Sequence, residues 1–167
     1  WLYTSPDNPF QRAMIPEFSG EVVKALDPYL GRVSKFYDFG GADDLWHYWY
    51  SFYCQYRTEW NPDFPVDAAI DEAFDLMYGK KAGAHMKRFH AVQKEAYLNH
   101  ALATDTLSPV YPTACIDEME RELRAAGACV KGDALRERRW KLVSDFWWPA
   151  FKLQREQARY EPPVYEV

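Results

Sequence analysis

Cysteine is scarce: Cys54, Cys115 and Cys129 are the only three in 167 residues, widely spaced and without a CxxC pair. That excludes a disulfide framework and a thiolate zinc site, and it predicts buried free thiols, with Cys115–Cys129 as the one alternative pairing. No apolar run approaches the ~18 residues of a membrane span, and no signal-peptide pattern is present. The chain opens at Trp1 rather than Met, which raises the expectation of processing, trimming or a piece of something longer and leaves the compartment open. Positive charge is in deficit, with 20 Lys+Arg against 25 Asp+Glu and a net charge of −5. This argues against nucleic acid or an anionic membrane as partner. The one basic cluster (Arg136, Arg138, Arg139, Lys141) is interrupted by Asp133, Glu137 and Asp145 and reads as a solvated helix face.

Chemistry-bearing motifs are equally sparse. Gly40-Gly41 is only a pair, not a phosphate-cradling loop, and neither GxSxG nor HExxH occurs. His47, His85, His90 and His100 never fall at i, i+4, so a helical metal pair is unsupported and neither a metal nor a cofactor is expected. Repeats and low-complexity tracts are missing. The length suits one compact unit and is too short for a complete (β/α)8 barrel, which needs roughly 250 residues.

What the chain has in quantity is aromatic area: 7 Trp, 12 Tyr and 10 Phe, or 17% of residues. Mean hydropathy is −0.51 although 48% of residues are hydrophobic, because Trp and Tyr carry apolar bodies with polar handles. Such a chain buries a substantial core. Eight of the fifteen residues from Trp46 to Trp60 are aromatic, so that segment is predicted to be a helix buried on most sides, capped by Asp43 or Asp44. Trp60 is placed in the core where two helices meet, which ranks Trp60→Ala above Trp147→Ala in expected damage.

Proline and glycine punctuate the rest. Pro6, Pro9 and Pro16 make residues 1–20 extended, with at most a short strand at 1–4. A short helix is read over 21–30, then a β-branched and aromatic strand, Val33–Phe39, ending at Gly40-Gly41. After Asn61-Pro62-Asp63, with Asp63 as cap, a helix carries Val66, Ile70, Phe74, Met77 and Tyr78 and stops at Gly79. Its five acids (Asp63, Asp67, Asp71, Glu72, Asp75) meet no basic residue within 61–78. The next helix, Lys80 to about Leu102, shows the stripe Ala82, Met86, Phe89, Gln93, Ala96 and Tyr97. Thr113 is read as the cap of a helix with Ile116, Met119 and Leu123 inward, closing at Gly127. The last helix starts near Asp133 with Leu135, Leu142, Val143, Phe146, Ala150 and Leu153 as its apolar positions and a kink at Pro149. The fold class is therefore mainly α, a multi-helix bundle with one or two short strands near the N-terminus. One strand cannot form a sheet alone, so that region looks like the end of a (β/α)8 barrel.

One segment combines acid, glycine turn and aromatics: Tyr37-Asp38-Phe39-Gly40-Gly41 running into Trp46, His47, Tyr48 and Trp49. In parallel α/β folds ligands bind beyond the carboxyl ends of strands, and sugars suit carboxylates beside Trp and Tyr. The competing reading makes these aromatics core and lets Asp38 cap a turn.

Strand 33–39, its glycine turn, the aromatic helix, TEWNPDFPVDAAIDEAF (58–74) and MYGKKAGAHMKRF (77–89) resemble the C-terminal region of α-glucuronidase-type glycoside hydrolases, and more closely a related group of bacterial glycosidase-like proteins. VYPTACIDEMERELRAAG (110–127) and LRERRWKLV (135–143) resemble the last two helices of that region, and WLYTSPDNPF resembles the exit of the seventh barrel strand. The resemblance implies that residues 1–60 are the last strand and helix units of a barrel and that 61–167 form a helical C-terminal domain. It implies a carbohydrate substrate, with Tyr3, Asp38, Trp46, His47 and Tyr48 at the substrate rim. The catalytic carboxylates would lie on earlier strands, so the chain alone would be non-catalytic. Its partners would be the missing barrel portion and, through the helical domain, further copies of itself. The rival reading is a self-contained helical interaction module with an aromatic core. An exposed aromatic patch on 46–60 would favour the barrel, and full coverage by the chain's own helices would favour the module.

Overall fold

A computed structural model describes residues 49–100 and 110–157, together with Glu21, Lys24, Ala25 and Pro28, which are helical and exposed. The strands expected at 1–4 and 33–39 lie outside the described residues. Within them the protein is mainly helical, a multi-helix bundle without a strand. Its helices are α1 (Trp49–Trp60), α2 (Val66–Tyr78), α3 (Lys80–His100), α4 (Thr113–Val130), α5 (Ala134–Lys141) and α6 (Trp148–Gln157), with a π-helical segment, Leu142–Trp147, joining the last two.

The long helix α3 is the centre, packing along both α4 and α2, while α5 touches α2 and α4. Its inward stripe is the expected one: Ala82, Met86, Phe89 and Gln93 are buried, with Ala96 and Tyr97 partly so. On α2 the buried residues include Ile70, Phe74 and Tyr78. Gly79 alone separates α2 from α3. Its φ of +81° is left-handed backbone that glycine enters without steric cost, and its N–H closes α2 on the Asp75 carbonyl at 2.8 Å.

Gly83 explains how closely α2 and α3 approach. A Cβ there would stand 2.8 Å from the Phe74 carbonyl oxygen and 2.9 Å from its carbon. Both atoms belong to backbone, so relief requires the two helices to part. Gly83→Ala is therefore expected to destabilise by about 1–3 kcal/mol despite alanine's better helix propensity. A urea midpoint at or above the parent's would contradict that contact.

Four expectations are corrected. First, Trp60 is 91% exposed while Trp147 is 3% exposed. At the α1–α2 junction Asn61 folds back, its side chain accepting from Asp63 N at 3.1 Å. The buried aromatic there is Phe64, 6.1 Å from the Tyr53 ring and under the Arg57 guanidinium at 5.1 Å. Pro65 takes the cap position of α2, and no side chain caps it. Second, α4 runs through Gly127 to Val130. The indole of Trp140 lies over Gly127, 2.5 Å from where a Cβ would sit, and donates to the Leu123 carbonyl at 2.9 Å. The glycine makes room for that ring rather than ending the helix. Third, Thr113 is not the cap of α4, which is Pro112; Thr113 instead accepts from Arg155 at 3.5 Å. Fourth, Leu135, Leu142, Phe146 and Leu153 face outward.

The π segment accounts for the last correction. Trp148 N–H reaches the Val143 carbonyl five residues back, so one turn is wider and the register shifts. The buried residues become Val143, Trp147, Trp148 and Phe151. Pro149 lies in the first turn of α6, and Asp133 does cap α5, accepting from Arg136 N at 3.1 Å.

Candidate functional site

Tyr3, Asp38, Trp46, His47 and Tyr48 all lie outside the described residues. The aromatic helix they lead into is described from Trp49 onward, and it has two contrasting sides. Tyr50, Cys54 and Thr58 are buried against the bundle, whereas Tyr53, Tyr56 and Trp60 are exposed. Helical spacing puts the first three on one face and the second three on another.

Between α1 and α2 lies an open cleft of ≈ 330 Å³, lined by Trp49 and Tyr53 from α1, by Glu72, Ala73, Leu76 and Met77 from α2, and by Arg139 from α5. Trp49 is fixed by its neighbours: its ring sits 5.5 Å from Phe74 and 5.7 Å from Tyr50. It also shares a hydrogen bond with the Tyr78 side chain, whose phenol burial pushes up to about 12. Tyr78 thus stays protonated and anchors the wall rather than titrating. Arg139 Nη1 donates to the carbonyls of Leu76 at 3.3 Å and Met77 at 3.0 Å. These are last-turn groups of α2 that have no partner within their own helix. Arg139 belongs to the cluster whose sequence suggests a solvated face; its partners on α2 lie over sixty residues away and leave no local signal.

The core beneath holds the most perturbed group. His90 is buried among rings, with centroids 5.0 Å from Tyr50, 5.1 Å from Phe89, 5.7 Å from Phe74 and 6.5 Å from Trp147. Burial brings its pKa down to about 3, so it is neutral at physiological pH. Its Nδ1, like Gln93 Oε1 and Trp148 Nε1, has no hydrogen-bond partner among the described residues. A histidine this enclosed cannot meet a substrate and serves packing.

Other titratable groups are tied into surface pairs. Arg88 bridges Glu118 and Glu95, both at 2.8 Å, tying α3 to α4. The His85 ring contacts Glu122 at 2.8 Å, which holds that carboxyl below its usual range. Asp71 on α2 finds Lys87 on α3, a partner beyond the window in which the sequence showed none. Cys54 and Cys115 are buried free thiols as expected, but Cys129 is exposed and also free, so the Cys115–Cys129 pairing is not made. Among the described residues no group of three or more His, Cys, Asp or Glu could hold a metal ion. No described helix is long and apolar enough to cross a membrane. No family model, curated protein or solved structure matches this chain.

Proposed function

We propose that the chain is the C-terminal portion of a glycoside-hydrolase-like protein acting on glycans, in which these helices form a non-catalytic packing unit against the barrel. The observation that carries this reading is the two-sidedness of α1, the helix that the resemblance assigns to the end of the barrel. One face is covered by the bundle, while on the other Trp60 is 91% exposed and Tyr53 and Tyr56 are 39% and 50% exposed. A helix with apolar residues on more than one side is expected to be covered on more than one side, and exposed aromatic faces mark interaction surfaces. Chemistry and sugar recognition would then reside on barrel strands, with the aromatic segment before α1 contributing to the rim.

The rival, a self-contained helical interaction module, is favoured by the second apolar row, Leu135, Leu142, Phe146 and Leu153, which is also exposed. Coding sequence upstream of Trp1 separates the two. The glycosidase reading expects an open frame that runs through Trp1 and encodes further alternating strand and helix segments. A start codon immediately before Trp1 would overturn it in favour of the module. The purified chain is also expected to leave aryl glucuronides and uronic-acid oligosaccharides intact, and turnover above the buffer rate would overturn its non-catalytic role.

A further inference from the structure

We propose that the cleft between α1 and α2 binds a carboxylate carried on a flat apolar body. The argument starts with Arg139. Arg88, Arg121, Arg124 and Arg136 are paired with carboxylates, Arg155 is spent on the Tyr111 carbonyl and Thr113, and Arg57 lies over the Phe64 ring; Arg139 is the arginine that lines the cleft. Arg139, half-buried at the cleft, meets no carboxylate among the described residues. Only its Nη1 is engaged, on two backbone carbonyls. That engagement fixes the plane of the guanidinium and leaves Nε and Nη2 without an acceptor among the described residues. A fixed guanidinium with spare donors suits a carboxylate, which it can meet with two parallel hydrogen bonds. A lysine could supply the charge but not the fork.

The walls set the rest of the ligand. Trp49 and Tyr53 offer ring surface on one side, and Leu76 and Met77 offer aliphatic and thioether surface on the other. The indole is held by Phe74 and Tyr78, so the wall is formed before a ligand arrives. A planar apolar group between an indole and a methionine gains dispersion and sulfur–ring contact. The volume of ≈ 330 Å³ lies at the small end of ligand pockets, enough for a single ring with a short acid arm and too little for a helix. Glu72, exposed at the rim, repels a second negative charge and so favours monoacids.

The probe is 3-phenylpropionate against its neutral amide, titrated into the 167-residue chain with the Trp49 indole N–H and the Ala73 and Arg139 amides followed by NMR. Saturable shifts at these positions are expected with the acid, and binding at least tenfold weaker with the amide. Glu72→Gln should tighten the acid two- to threefold by removing like charge, and Arg139→Met should weaken it at least tenfold. Because Arg139 also caps α2, Ala73→Leu serves as the second variant: it fills the cleft from the α2 wall while keeping the arginine, and should abolish the shifts. A Gly-Gly-Phe peptide with a free or amidated terminus identifies the source, since binding of the peptide acid assigns the site to a chain terminus and its exclusion to a small molecule. Equal binding of acid and amide, binding of neither, or binding undiminished in Ala73→Leu overturns the proposal.

Discussion

Trp147→Ala is expected to cost about 3–5 kcal/mol of stability, while Trp60→Ala should stay within about 0.5 kcal/mol of the parent. Trp147 stacks on Phe151 at 4.9 Å with an interplanar angle of 13° and meets Phe89 edge-on at 5.7 Å. Removing the indole leaves a void bounded by rings on α3 and α6, and flat rings held by several helices cannot collapse into it. Trp60 is almost wholly in water, so truncation there forfeits little buried area. Urea unfolding of both variants beside the parent, with the slope monitored, measures the contrast. Comparable midpoint shifts for the two, or a larger one for Trp60→Ala, would contradict the placement of the π segment. If α1 docks on a larger body, the Trp60 effect emerges only in the complete protein, as weakened association rather than weakened folding.

The second large effect is acid sensitivity through His90. Its folded pKa is about 3 against about 6.5 for an unperturbed histidine. Above pH 6.5 the ring is neutral in both states and contributes no pH dependence. Below it the unfolded chain takes up a proton that the folded chain refuses. Stability then falls by about 1.4 kcal/mol per pH unit until the folded pKa is reached. Between pH 6.5 and 4.5, a window above most carboxylate titration, the parent should lose roughly 2–3 kcal/mol. His90→Phe keeps a ring in the aromatic nest and removes the proton site, so its stability should be nearly flat over that window. The readout is the difference in slope, which does not depend on the variant's absolute stability. Parallel slopes for the two proteins would mean that His90 reaches solvent in the folded state.

Much of the bundle was legible in the order of residues. The stripe Ala82, Met86, Phe89 and Gln93 is regular over about three turns, and nothing in α3 competes with it. The Gly79 stop was legible because left-handed backbone between two helices demands glycine, and the Asp133 cap because a short acid before a charged helix has one local use. Where two apolar stripes shared one helix, periodicity could not choose. From 134 to 157 both the Leu135–Leu142–Phe146–Leu153 row and the Val143–Trp147–Phe151 row have helical spacing. The choice turns on a widened turn that exists only because Trp147, Trp148 and Phe151 all find rings and aliphatic surface on neighbouring helices. The cleft was harder still, since Arg139 and Leu76 are joined by packing across 63 residues of sequence, and a backbone carbonyl leaves no trace in side-chain spacing.

Residue order alone was enough to make the described chain helical with an aromatic core and to place the Gly79 break and the Asp133 cap, because capping, glycine freedom and 3.6-residue spacing act within a few residues of each other. Packing between helices settled which tryptophan is core, which apolar row faces water and how Arg139 meets the end of α2. Those outcomes depend on what stands opposite each side chain, and burial between helices far apart in sequence is a property of their packing, not of either helix alone.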